Sequence, residues 1–279
     1  MAELAAGRAA PRAPGRAHAY RVILGARLRA QTGYRVSFVT DLLGTVMVGL
    51  TELGEVYVIF HNVTVLGGLT FAQALLVFAI SNIAFSLADM TVGHLDNLPT
   101  YIRAGTVDAL YVRPLSLLGQ LVTSDVSLRR FGRLGVAVVV LAVALRQNAV
   151  EWGIGTVAML GLALVSGTLI MAALFVMASA LQFFLVEAPE MTNSFTYGGS
   201  YASQQSAQVF PRPLRLLFTF ALPAAFVAYL PAVVILGLPG SEWLPAWLGW
   251  LAPAVGAIAW GAALLLWRVG TRHYQGGGG

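Results

Sequence analysis

The stretch from about Val36 to Phe60 is apolar enough to lie in a bilayer, yet it holds three carboxylates, Asp41, Glu52 and Glu55. Helical spacing puts all three within about a quarter-turn either way of one face, with Thr45 between them. Acids at membrane depth are costly and turn toward a bundle interior or water. Such a stripe suits a proton relay or contact with a cationic substrate. The alternative places Asp41 at one membrane interface and both glutamates near the other, solvated or capped.

Residue types exclude several other chemistries. All 17 basic residues are arginine, and cysteine is absent. The chain therefore offers no disulfide, thiolate metal site or cysteine nucleophile. Without lysine it has no G-x-x-x-x-G-K-[ST] loop to grip a nucleotide phosphate. His18, His61, His94 and His273 are scattered with no H-E-x-x-H, so no metal site is expected, nor any catalytic residue.

The elements that must position the acids follow from composition. Of 279 residues, 58% are hydrophobic and 10% charged, against about 25% charged in soluble domains. The sequence predicts an all-α polytopic membrane protein with six transmembrane helices. Span one runs from about Val36 to Phe60 and span two from Phe71 to Ala88, joined by a loop at Gly67 and Gly68. Span three covers about Leu134 to Leu145, with some extension, and span four Trp152 to Leu185. Span six runs from Leu244 to Trp267, with Trp243, Trp247, Trp250, Trp260 and Trp267 as aromatic anchors.

Span five has two solutions. Hydropathy alone selects Leu216 to Leu238, which Pro223 and Pro231 interrupt. The other solution makes Met191 to Gln208 the span and 210–238 a re-entrant element, so that Thr192, Ser194, Tyr197, Tyr201, Gln204 and Gln205 line a pathway together with Glu52 and Glu55. With six spans, 16 of the 17 arginines fall on one side in the first solution and 14 in the second. Arginine-rich loops face the cytoplasm, so both termini are placed there, in a multi-pass protein of a plasma membrane. The basic excess thus has a membrane explanation, and no nucleic-acid partner is expected.

Residues 36–275 form one six-helix domain in this scheme. Residues 1–35 comprise a solvated tail and, from Tyr20 to Tyr34, an imperfect amphipathic helix on the cytoplasmic membrane surface. Residues 276–279 form a flexible glycine tail, and the Arg, Ala, Gly and Val bias fits a GC-rich bacterial source.

The polar segment 95–114, with the next residue, contains Arg103-x-Gly105-Thr106-x-Asp108-x-Leu110-x-x-Arg113-Pro114-Leu115. It resembles the motif R-x-G-T-x-D-x-L-x-x-R-P-L between spans two and three of the permease subunits of bacterial type 2 ABC exporters, one branch of the ABC-2 family transporter proteins. Phe210-Pro211, Leu214-Arg215, Leu222-Pro223, Tyr229, Pro231-Ala232 and Leu236-Gly237 are similar to the same branch, as is the ending Trp267-Arg268-x-Gly270-x-x-His273-Tyr274-Gln275. The four final glycines depart from its more usual serine-containing tail.

The resemblance implies a permease without an ATPase site, with ATP and Mg held by a separate ABC ATP-binding subunit. It implies a coupling helix, bounded by Gly105 and Pro114, in which Thr100, Tyr101, Arg103, Gly105, Asp108, Arg113 and Pro114 meet that partner. A second permease subunit is implied as well, a heterodimer first and a homodimer second, in contact with membrane lipid. The implied substrate is hydrophobic or amphipathic: a drug, natural product or lipid. A competing function is an ion-coupled secondary transporter working through the span-one carboxylates.

Overall fold

The computed structural model describes Gly25 and residues 35–124, 130–185 and 189–274. The sequence-predicted tail, surface helix and final glycines lie outside them.

Helix α1 (Arg35–Asn62) leads into a hairpin of β1 (Val65–Leu66) and β2 (Leu69–Thr70). Its turn is Gly67-Gly68, with φ of +54° and +77°, a left-handed pair that only glycine adopts without strain. Thr70 then opens α2 (Phe71–Val92), its backbone N–H donating to Gln73 Oε1 at 2.9 Å, half of a capping box. A 3₁₀ turn (Gly93–Asn97) follows, then the short helices α3 (Leu98–Arg103), α4 (Thr106–Tyr111) and α5 (Leu117–Ser124).

Helices α6 (Phe131–Gln147) and α7 (Ile154–Leu181) come next, then α8 (Pro189–Ser203). After a 3₁₀ turn at Ala207–Val209 the chain forms α9 (Arg212–Leu216) with a π-helical extension (Leu217–Ala221), then α10 (Ala224–Val227) and α11 (Tyr229–Ile235). A hairpin of β3 (Gly240–Ser241) and β4 (Leu244–Pro245) turns into a 3₁₀ stretch (Ala246–Leu251) and the last helix, α12 (Ala252–His273).

Four helical runs are long and apolar enough to cross a membrane: Ser37–Asn62, Phe71–Arg103, Ile154–Leu181 and Ala246–His273. A fifth arises if the two limbs Arg212–Ala221 and Ala224–Ile235, bent by 60°, count as one. The bend falls at Pro223, where the missing N–H and the ring break the backbone ladder, just after a π-helical turn. Helix α6, at 17 residues, spans about 25 Å, slightly less than the hydrocarbon core. Helix α8, at 15 residues, is shorter still. The sequence-predicted last span begins two residues too early, because Leu244 belongs to β4.

The core is built on α2 and α7. Phe78, Ile80 and Phe85 from one and Ile170, Met171 and Phe175 from the other are completely buried. Helix α12 runs parallel to α7 in close contact. A Cβ at Gly256 would lie 3.4 Å from the Ser166 carbonyl, and one at Gly270 only 2.9 Å from the Ala180 carbonyl, the same helical distance further along both helices. Small residues thus let the two backbones approach where no hydrophobic effect drives them together. On the opposite side α6 lies antiparallel to α2, with Asn148 Nδ2 on the Ala72 carbonyl at one end and Arg130 on Asp89 at the other. Helix α1 lies outermost, on α6.

Candidate functional site

Two polar regions stand out. The first lies within the helical layer, where α1, α2, α6 and α8 meet. Arg133 Nη2 donates to Glu52 Oε1 and Oε2, both at 2.7 Å, while its Nε donates to Asn82 Oδ1 at 3.1 Å. The guanidinium carbon sits 4.4 Å from the centre of the Phe85 ring. Asn82 stands near the middle of α2, so the pair lies deep in the apolar layer, and both side chains are largely buried. The Glu52 carboxylate is thus ion-paired and largely buried. Its charge is matched by an arginine in the first turn of α6.

Glu55, one turn further along, is exposed and accepts a hydrogen bond from the Tyr201 hydroxyl of α8. Tyr197, one turn back on α8, donates to Asp96 Oδ2 at 3.3 Å and packs against Phe85 and Phe175. Ser203 and Ser81 share a hydrogen bond of 2.6 Å between α8 and α2. Thr196, Ser200 and Gln204 are buried, each with a polar side-chain atom that makes no hydrogen bond, and Gln205 is half-buried. Ser194 bonds its own helix at the Glu190 carbonyl, and the Thr192 side chain lies outside the described residues. The structure therefore brings Glu55, Tyr197 and Tyr201 onto one face.

The second region is the segment after α2. One helix was expected between Gly105 and Pro114, carrying Arg103, Asp108 and Arg113. Two short helices are found instead, α3 and α4, split by Gly105 at φ +66°. Arg103 belongs to α3, where its Nε donates to the Pro99 carbonyl at 3.3 Å. Arg113 and Pro114 lie beyond α4, exposed like Thr100 and Val112, while Tyr101 packs half-buried on the core. Of the three charged residues only Asp108 is on α4.

Asp108 turns inward. Its Oδ1 accepts a hydrogen bond from the Tyr274 hydroxyl at 2.9 Å, and the Tyr274 ring stacks on Tyr111 at 5.8 Å with 7° between planes. Desolvation, then the hydrogen bond to Asp108, pushes the Tyr274 hydroxyl up to about 12. Burial and the nearby Asp108 charge also raise Tyr111. Both hydroxyls stay protonated at neutral pH.

Among the described residues no three His, Asp or Glu side chains gather as a metal site. What the arrangement offers is an exposed, motif-bearing helical pair at one end of an apolar bundle and a polar face inside it. A family model for the ABC-2 family transporter protein matches residues 46–278. The chain belongs to the ABC-2 transporter family. Searches of curated proteins and of solved structures found no match.

ABC-2 proteins of this kind are transport subunits of the membrane, without an ATPase of their own, and their family implies an ATP-binding partner. This agrees with the lack of any lysine for a phosphate loop. In this ABC-2 subunit the motif after α2 is a surface feature held by Tyr274, near the end of the match. Sequence reasoning singled out both segments and missed their contact, since 166 residues separate them. It missed Arg133 and Asn82 as well; an asparagine in the middle of an uncharged span was the available signal.

Proposed function

We propose that this chain is the permease subunit of an ATP-driven ABC exporter in a bacterial plasma membrane, with six spans and both termini in the cytoplasm. The observation that carries this reading is the family match joined to the exposed segment of α3, α4 and the turn after them, whose outer surface presents Thr100, Arg103, Val112, Arg113 and Pro114. A groove on an ATP-binding subunit would receive this surface by shape and by the two arginines. In the six-span scheme α6 is span three, α8 span five and the bent pair 212–235 a re-entrant element.

Two permease subunits, in first preference unlike ones, would meet across the face bearing Glu55, Tyr197 and Tyr201. That face supports a pathway role because an acid at membrane depth is tolerated where protein or water covers it, not lipid. ATP binding in the partners would bias the pathway between its two exposures. The substrate would be hydrophobic or amphipathic, in keeping with the aromatic and aliphatic surroundings.

The test is reconstitution with an ATP-binding subunit. Arg103→Glu and Arg113→Glu should insert normally, since both side chains are exposed, and should lower complex yield or ATP hydrolysis. An exposed contact pair contributes about 1 kcal/mol and a desolvated one several. Unchanged yield and hydrolysis in the double variant would remove the coupling assignment. The ion-coupled alternative then predicts transport with no ATPase present, abolished by Glu55→Gln.

A further inference from the structure

Helix α4 has six residues, far too few to be stable or to hold a position alone. Its place is set by what it touches. Val107 is fully buried. The Gln120 amide donates to the Leu110 and Leu115 carbonyls at 3.0 and 3.1 Å, which fixes the far end. Asp108 and Tyr111, three residues apart and so on one side of the helix, both meet Tyr274. Tyr111 adds a bond from its hydroxyl to the Thr271 carbonyl at 3.1 Å.

Tyr274 in turn is joined to the long helices. Its ring meets Phe183 edge-on at 5.9 Å, and Phe183 meets Trp267 edge-on at 5.3 Å. A Cβ at Gly270 would come within 2.8 Å of the Phe183 ring, so α12 and the end of α7 touch directly there. Helix α1 takes no part in this cluster; its polar ties include Glu52 to Arg133 of α6 and Glu55 to Tyr201 of α8.

We propose that Tyr274 is a positioning residue that fastens the coupling segment to α7 and α12, so that a push on α4 moves these two helices together relative to α1. This rests on the exporter reading, which supplies the push. The hydroxyl bond to Asp108 sets the lateral position of α4, and the stack on Tyr111 transmits load along the ring normal. Tyr274→Phe removes the first and keeps the second, whereas Tyr274→Ala removes both.

The experiment has two arms on the full chain in lipid nanodiscs. In the first, without any ATP-binding subunit, hydrogen exchange of the amides of 106–111 is followed. Tyr274→Ala should raise it at least tenfold, Tyr274→Phe by a smaller factor, and neither should alter exchange in 40–60 of α1. In the second, the complex with its ATP-binding subunit carries spin labels on introduced cysteines at Val58 of α1 and Leu265 of α12, both exposed. ATP with vanadate should change their separation in the parent protein. Tyr274→Ala should bind ATP with the change reduced at least twofold, and Tyr274→Phe should recover part of it. Unaltered exchange at 106–111 in Tyr274→Ala overturns the fastening. Raised exchange with an undiminished separation change overturns transmission, leaving a merely structural contact. A parent complex that does not respond to ATP overturns the exporter reading, and with it transmission, while the exchange result still decides the fastening.

Discussion

Helices α1 and α7 have the same length, 28 residues each, and opposite surroundings. In its most apolar window α7 is 61% buried and α1 only 11%. The glycines show why. On α7 a Cβ at Gly167 would come 2.9 Å from the Val227 carbonyl, whereas on α1 Gly44 and Gly54 face open space. Along the seam between α1 and α6 run two apolar grooves of about 460 and 470 Å³, lined by residues such as Leu50, Leu53, Val139 and Val140. Helix α7 is thus placed by close backbone contact from Ser166 to Ala180. Among the described residues α1 is held chiefly by its seam with α6, the Glu52–Arg133 pair and the Glu55–Tyr201 hydrogen bond, which leaves much of its surface for lipid or, in the proposed exporter, a second subunit.

The largest expected effect is on that pin. Arg133→Ala leaves the Glu52 charge buried and unpaired, so stability should fall by about 3–5 kcal/mol. The double variant Glu52→Gln with Arg133→Gln should recover most of the loss. Thermal unfolding in detergent measures both, and a single variant no worse than the double would show that the pair does not hold α1.

A smaller effect separates the two sets of glycines. Gly167→Ala forces α7 away from the Val227 carbonyl and should cost about 1–3 kcal/mol. Gly54→Ala meets nothing in the isolated chain and should be neutral or stabilising by about 0.5–1 kcal/mol, since alanine is the better helix former. Equal losses at both positions would erase the contrast between a packed and an open helix.

The smallest effect concerns pH. The Tyr274 hydroxyl is raised from 10.0 to about 12, so its contribution is fully present below about pH 10 and is lost as pH rises through 12. Tyrosinate absorbance near pH 12 should therefore fall by one tyrosine's amplitude in Tyr274→Phe, with no change in the attachment of α4 between pH 6 and 9. Loss of that amplitude near pH 10 instead would place Tyr274 in solvent, away from Asp108.

Much of this was legible in the chain itself. Apolar length marks α1, α2, α7 and α12, because a helix in hydrocarbon must satisfy its own backbone bonds and clothe them in apolar side chains. Span three was placed within α6 as well, and Gly67-Gly68 marked its turn. The segment 191–238 was ambiguous for a physical reason: α8 is polar where it faces other helices, and the more apolar stretch after it is bent at Pro223. Hydropathy averages over all faces of a helix and registers neither inward-facing polarity nor a bend.

Sequence alone determined the class of molecule, the position of its long helices, the absence of a phosphate-loop lysine and the family to which it belongs. Only the tertiary structure decided which charges meet. Glu52 pairs with Arg133 across 81 residues and Asp108 with Tyr274 across 166, because ionic and aromatic partners are chosen by proximity in the packed bundle. Helical periodicity fixes the face on which a side chain lies. Which helix comes to cover that face depends on the backbone contacts that small residues on other helices permit.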